Sequence, residues 1–305
     1  MIVVKDVSKK LGGKEVLKEV SFHIAPNECV GIIGRNGAGK TTLLNIMSGI
    51  LKQDSGFVRI NGCKDTMQDF NTLKCLSYVS GMKAQLWTEM KLIYSFENCG
   101  KLYGINSRDF SIRLGELLEV FDIKDSLQET VNYLSFGQRI RSELVYALLP
   151  KPKILFLDEA LIGLDVTVKD RIMRIVEKMK EDKEVTILYT SHNLMEIEKL
   201  CDRVIVLDEG SIIFDGKTER LMKEFAPEHK ADIETEGELP DLEDLPVEKY
   251  GIDKNILWIR YDKKKIKTSD VIRHVINRCK IKNVKIVEPN LEDTIKKIYE
   301  RKDRI

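Results

Sequence analysis

Residues 2–8 and 16–24 alternate apolar and polar positions on either side of Gly12 and Gly13, the period-two pattern of half-buried strands joined by a tight turn. A run at 57–60, closed by Asn61 and Gly62, adds another strand and turn, so an antiparallel sheet is expected from segments flanking residues 25–56. Inside that interval, 29–33 is an unbroken apolar run of buried-strand length, and 40–48 carries Leu43, Leu44 and Met47 at helical spacing before a stop at Gly49. From 91 to 149 the period changes to that of a helix. Leu114, Leu117, Leu118 and Phe121 share one face and Leu144, Ala147 and Leu148 another, with a loop expected at 131–133. Strand-like runs return at 154–157, 186–189, 204–207 and 212–214, with helical stretches at 169–180 and 194–200, the alternation of an α/β sheet. Residues 228–248 are acid-rich and contain Pro240 and Pro246, which reads as a solvated linker with at most one edge strand. Beyond it, 256–261, 269–279, 284–287 and 291–300 alternate strand and helix in a small βαβα unit.

Between the first apolar strand and its helix lie Gly34, Arg35, Asn36, Gly37, Ala38, Gly39, Lys40 and Thr41. Glycine, four residues, glycine, lysine and threonine is the spacing that wraps a loop around a polyphosphate. Backbone N–H groups and the following helix N-terminus face the phosphate oxygens, Lys40 reaches the outer phosphates, and the Thr41 hydroxyl can ligate Mg²⁺. A second signal follows the strand at 154–157, whose end delivers two adjacent carboxylates, Asp158 and Glu159, to the edge where ligands of α/β sheets bind. Asp158 can hold Mg²⁺ through water, and Glu159 can polarise an attacking water beside a clamped phosphate. Ser191 and His192 follow the strand at 186–189; a histidine so placed takes its meaning from its neighbours.

Composition narrows the partners. With 43% hydrophobic and 32% charged residues the chain is a folded protein of about two domains. Fifty basic and forty-nine acidic side chains leave a net charge of +1, too little for a protein that grips a nucleic-acid backbone, so no nucleic-acid partner is expected. The six cysteines show no metal-ligand spacing and read as reduced structural thiols. No run of eighteen apolar residues occurs, so any work at a membrane requires recruitment to it.

Five motifs occur in the order found in ATP-binding-cassette (ABC) ATPases, and residues 1–220 resemble that family. GRNGAGKT at 34–41 looks like the Walker A loop, LSFGQ at 134–138 like the signature, and ILFLDE at 154–159 like Walker B. Ile162, Gly163, Leu164 and Asp165 resemble the D-loop; Thr190, Ser191 and His192 resemble the histidine switch. The resemblance implies an α/β P-loop NTPase core with an antiparallel β subdomain and a helical subdomain over about 83–149, followed by a small α+β accessory domain at 221–305. ATP and Mg²⁺ are the implied cofactors. Gly34 to Thr42 would surround the nucleotide, including Thr42 itself; Leu11 would lie over the base; Thr41 and Asp158 would face the metal; Glu159 and His192 would be catalytic. Ser135, Gly137, Gln138 and Asp165 would complete the site of a second ATPase subunit paired head to tail, as a homodimer or heterodimer.

Within the family, 81–87, 134–144 and 191–204 are similar to ATPase subunits of ABC-2-type exporters, and 287–293 leading into Tyr299 resembles their accessory C-terminal segment. This implies a separate membrane permease and a cytoplasmic, peripheral position on the inner face of the cell membrane. Four departures stand out. Leu11 replaces the aromatic residue that usually stacks on adenine. Ala160 and Leu161 replace the proline and threonine that usually follow Walker B, and Phe136 lies inside the signature. The glutamine that usually senses the γ-phosphate corresponds to Met82, which leaves Gln85 as the candidate metal ligand. A catalytically weak regulatory subunit is therefore one rival reading. The other, a non-transport cassette working on ribosomes or DNA, fits poorly with one cassette and near-neutral charge.

Overall fold

β3 (Cys29–Ile33) is buried at every residue, because it lies between parallel neighbours β7 (Thr186–Thr190) and β8 (Arg203–Asp208). Continuous apolar runs are what strands covered on both faces require. On the far side of β7, β6 (Ile154–Asp158) pairs in parallel and is followed by β5 (Leu76–Ser80). β9 (Ser211–Lys217) closes the opposite edge antiparallel to β8, giving the order β5-β6-β7-β3-β8-β9. The register sets Ile32 beside Thr190 and Thr190 beside Asp158, so the carboxyl ends of β3, β7 and β6 open together at one edge. Such an edge is where α/β sheets hold ligands.

The protein is described from a computed structural model covering residues 1–61, 69–81, 85–225, 229–236, 242, 245–253 and 256–302. It divides into two units, Met1–Thr218 and Glu219–Ile305. In the first unit, β1 (Ile2–Leu11), β2 (Lys14–Ile24) and β4 (Ser55–Ile60) form an antiparallel sheet ordered β2-β1-β4. Its apolar face joins α1 (Lys40–Met47) and the parallel sheet in one core, with Ile2, Leu17, Leu43, Leu44 and Phe156 fully enclosed. The helical stretch resolves into α3 (Leu92–Tyr103), α4 (Ser107–Phe121) and α5 (Phe136–Leu148). α3 ends on Gly104 at φ 69 and α4 starts on Asn106, whose side chain accepts from the Asp109 N–H. The expected loop at 131–133 is a 3-10 turn. α2 (Phe70–Lys74), capped by Asp69, and β5 were not anticipated. Cys29 and Cys201 are buried with sulfurs 3.5 Å apart, and the described cysteines are free thiols.

In the second unit α8 (Thr218–Phe225) precedes a four-stranded antiparallel sheet of β10 (His229–Glu236), β11 (Lys249–Asp253), β12 (Ile256–Tyr261) and β13 (Lys280–Val287). Its order is β11-β12-β10-β13. α9 (Thr268–Ile276) connects β12 to β13, and α10 (Leu291–Lys302) follows. The segment read as a solvated linker therefore contains a central strand. β10 is paired on both sides, with Ala231 and Ile233 fully buried while Lys230, Asp232 and Glu234 alternate with them and are only half-buried. Two apolar positions among six polar ones hid it from the pattern.

Candidate nucleotide site

Gly39 turns the chain from the loop into α1 at φ 104, and a Cβ there would sit 2.8 Å from both Leu17 Cδ2 and the Val16 carbonyl. Only glycine can make that approach. No side chain caps α1, so its first N–H groups are directed into the loop, the arrangement that binds anions. Ala38 is buried; Arg35, Asn36 and Gly37 form the exposed crest, closed by an Ala38 N–H to Arg35 carbonyl bond of 3.0 Å. Lys40 folds back with only 6% exposure, Nζ donating to the carbonyls of Gly34 at 2.8 Å and Arg35 at 3.3 Å. Burial pushes its pKa down, while the charges of Glu159 and Asp158 oppose that shift. Thr41 is exposed and Thr42 half-buried on the first turn of α1.

At the end of β6, Asp158 is buried with both oxygens engaged. Thr190 Oγ1 donates to Oδ1 at 2.7 Å and Tyr78 Oη to Oδ2 at 2.8 Å. Burial, reinforced by the Asp158 charge, drives the Tyr78 pKa upward and keeps its hydroxyl a donor. Thr190 Oγ1 also accepts the Glu159 N–H at 3.0 Å, so one threonine orients both acidic residues. Glu159 occupies the left-handed region at φ 51, an uncommon conformation for a residue with a Cβ. Its Oε1 lies 2.8 Å from His192 Nε2, and its side chain is 18% exposed against 45% for the histidine. Gly81 donates its N–H to the Asp158 carbonyl at 3.1 Å, and a Cβ on it would lie 2.4 Å from the Glu159 carbonyl.

The segment after β7 is anchored by Glu196 of α7 (Leu194–Leu200). Tyr189 Oη and Ser191 Oγ each donate to its Oε2 at 2.6 Å, and Lys169 Nζ, on α6 (Val166–Glu181), lies 2.9 Å from Oε1. Burial raises the Glu196 pKa, but the Ser191, Tyr189 and Lys169 interactions outweigh it and the carboxyl ends below its ordinary 4.5. A depressed folded-state pKa stabilises the protein above the unfolded value, and this contribution is lost as pH falls through the lower, folded one. Glu196→Gln is therefore expected to lower the melting temperature at pH 7 on the order of 5 °C. The gap to wild type should narrow as pH falls below the ordinary 4.5; a gap independent of pH in thermal melts would contradict the ionised network.

Ser135 caps α5 through a reciprocal box: its Oγ accepts the Gln138 N–H at 3.2 Å and Gln138 Oε1 accepts the Ser135 N–H at 2.8 Å. Gln138 Nε2 donates to Ser126 Oγ at 3.1 Å, and nothing lies within 4 Å of where a Gly137 Cβ would be. Asp165 caps α6 by accepting the Val168 N–H at 3.0 Å. The hydrogen bonds of Ser135, Gln138 and Asp165 are thus local, while Tyr133 is 83% and Phe136 44% exposed. The Phe136 ring lies 3.2 Å from where a Gly163 Cβ would be, joining the signature turn to the D-loop segment.

Two expectations fare differently. Leu11 is exposed at the β1–β2 turn, opposite Lys14. Gln85 is not placed at the carboxylates. Its amide Nε2 donates to the Tyr78 carbonyl, and its backbone N–H to Glu143 Oε1 of α5 at 2.8 Å. Glu143 is buried; desolvation raises its pKa against the lowering effect of the Gln85 and Leu86 N–H groups. Met82 lies outside the described residues. The supporting roles of Tyr78, Glu143 and Glu196 were not anticipated, nor were the bonds of Thr190, named above in the histidine-switch segment, to Asp158 and Glu159.

Residues 17–162 match the family profile described as ABC transporter. The ABC transporter ATP-binding protein NatA of Bacillus subtilis (strain 168) is 30% identical over 225 residues, covering 72% of this chain and 91% of that protein. The chain belongs to the ABC transporter ATP-binding proteins. The linearmycin resistance ATP-binding protein LnrL of the same organism is 26% identical and covers 96% of both chains. A dimeric ATP-binding cassette solved in a post-hydrolysis state with ADP and Pi superposes at a TM-score of 0.63, with 25% identity over 71% of this chain and 98% of that one. This ABC protein is a nucleotide-binding ATPase with the P-loop NTPase fold. Among the described residues no helix is long and apolar enough to cross a membrane.

Proposed function

We propose that this ABC ATPase works as one of two paired subunits whose hydrolysis of ATP drives export through a separate membrane permease. The observation that carries the reading is the division of the machinery. Lys40, Asp158, Glu159 and His192 converge on one sheet edge, whereas the signature turn is exposed with locally spent hydrogen bonds. Head-to-tail pairing, with the other subunit a second copy or a close homologue, sets the N-terminus of α5 of one subunit over the phosphates held by the other, where its N–H groups and dipole favour negative charge.

The residues present also fit Mg²⁺. A buried carboxylate, Asp158, and an exposed hydroxyl on α1, Thr41, are hard oxygen donors, and among the described residues no cluster of three or more His, Cys, Asp or Glu forms a closed cage. That suits an ion which keeps waters and takes the rest of its ligands from phosphates. When bound, it would neutralise charge between the outer phosphates. Lys40 and the α1 N–H groups hold the γ-phosphate. Glu159, oriented by Thr190 and steadied by His192, accepts a proton from the water that attacks phosphorus as the bridging bond to ADP breaks.

Export is supported by the resistance function that LnrL carries in its name and by its match along 96% of both chains. The subunit would then sit peripherally on the cytoplasmic face of the membrane, held by its permease. Purifying the tagged chain from detergent-solubilised membranes is expected to bring a polytopic membrane protein with it, and ATP turnover of that complex should exceed that of the isolated chain. Recovery of the chain alone from membranes, with turnover unchanged by membrane fractions, would contradict the transport reading.

A further inference from the structure

Among the described residues, the sheet of the second unit has β11 and β13 as its edge strands. β13 presents Lys280, Lys282 and Lys285, all exposed, and such a row of like charges discourages another strand from adding there. β11 carries no such guard. It reads Lys249, Tyr250, Gly251, Ile252, Asp253. Turned end for end about Gly251, this strand is complementary to itself: lysine faces aspartate, tyrosine faces isoleucine, and glycine faces glycine.

We propose that β11 is an edge through which a second copy of this chain pairs antiparallel, joining two four-stranded sheets into one. Directly opposed residues of antiparallel strands share a face. Lys249 and Asp253 would therefore form two ion pairs on the outer face, and Tyr250 and Ile252 two apolar contacts on the other. Both charged residues are exposed and enter no ion pair among the described residues. Tyr250 and Ile252 are 46% and 55% exposed, yet they lie opposite Ile259 and Leu257, which are 0% and 1% exposed. They continue the buried face of the sheet past its last covered strand, as an edge awaiting a partner would.

Gly251 fits the centre of such a pair. A Cβ there would come within 2.6 Å of Trp258 Cζ2, so the indole already lies over this glycine on the outer face. A pairing of five residues per strand buries less than a free-standing dimer needs, on the order of 1,000 Å². It would act together with the pairing of the ATPase units, which raises the effective concentration of one edge beside the other. The inference rests on the two-copy reading above only in supplying that second copy.

The test uses the full-length chain and sedimentation velocity. On a Glu159→Gln background with ATP, where the ATPase units are paired, Lys249→Asp and Asp253→Lys each place like charges opposite one another twice, and each should weaken self-association roughly tenfold. The double variant Lys249→Asp/Asp253→Lys restores complementarity and should return to within about threefold of wild type. Singles that associate like wild type, or a double variant as weak as the singles, would overturn the proposal. The Glu159→Gln chain without the charge swaps, compared with and without ATP, separates the two readings. If ATP raises no self-association of the Glu159→Gln chain the shared-ATP reading fails, whereas if it does and the charge-swap pattern is absent only the edge pairing fails.

Discussion

Glu159→Gln is expected to lower ATP turnover by about two to four orders of magnitude while leaving ATP bound, so that a nucleotide-loaded dimer accumulates. The substitution keeps the shape of the side chain and its position between the Thr190-bound backbone and His192, but removes the carboxylate proposed to accept the proton of the attacking water. The left-handed φ of 51 at Glu159 supports the assignment: the fold holds this residue in a disfavoured conformation that points it at the edge shared by β3, β6 and β7. Asp158 is untouched, with Thr190 and Tyr78 still on its two oxygens, so metal dependence of binding should persist. Turnover near wild type, measured as phosphate release in single-turnover and steady-state assays, would remove Glu159 from the chemistry.

Lys40→Ala is expected to act one step earlier, weakening ATP binding on the order of a hundredfold, since charge-assisted hydrogen bonds are the strong ones. The lysine is nearly buried between the carbonyls of Gly34 and Arg35, with two carboxylates near enough to oppose the fall in its pKa. Truncation removes the cation proposed to face the phosphates and leaves those two carbonyls without their donor. The rest of α1 is anchored by Leu43, Leu44 and Met47 in the core, so the fold should survive. Titration with a fluorescent ATP analogue, alongside a thermal melt, separates the two effects. Undiminished affinity would mean that Lys40 is a structural strut for the loop.

The phosphate loop, the paired carboxylates and the signature motif could be read from the sequence because each is local. Gly34 to Thr41 encode their own turn, β6 is one apolar run ending in its functional residues, and Ser135 with Gln138 is a capping box written within four positions. What escaped was non-local. Tyr78 reaches Asp158 across 80 positions and Thr190 across 32, and no spacing rule pairs a tyrosine with an aspartate at such a range. β5 escaped because its five residues, Leu76 to Ser80, interleave serine with apolar residues and its partner β6 is distant in sequence. β10 escaped for the opposite reason: its charged residues dominate the pattern, and only pairing on both sides reveals that Ala231 and Ile233 are core. Gln85 was placed by counting from a motif, whereas its location follows from the buried Glu143, which fixes the backbone of 85 and 86.

The central claim is that each nucleotide site is built from two subunits, and mixing two inactive variants tests it most directly. Lys40→Ala disables the phosphate loop, and Ser135→Arg blocks the signature turn, which is exposed and capped by the reciprocal bonds of Ser135 and Gln138. In a head-to-tail pair of the two variants both defects fall in one site and the other site is intact. An equimolar mixture of the two purified chains is predicted to regain ATP turnover that neither shows alone, whereas a mixture no more active than the sum of its parts would contradict a shared site.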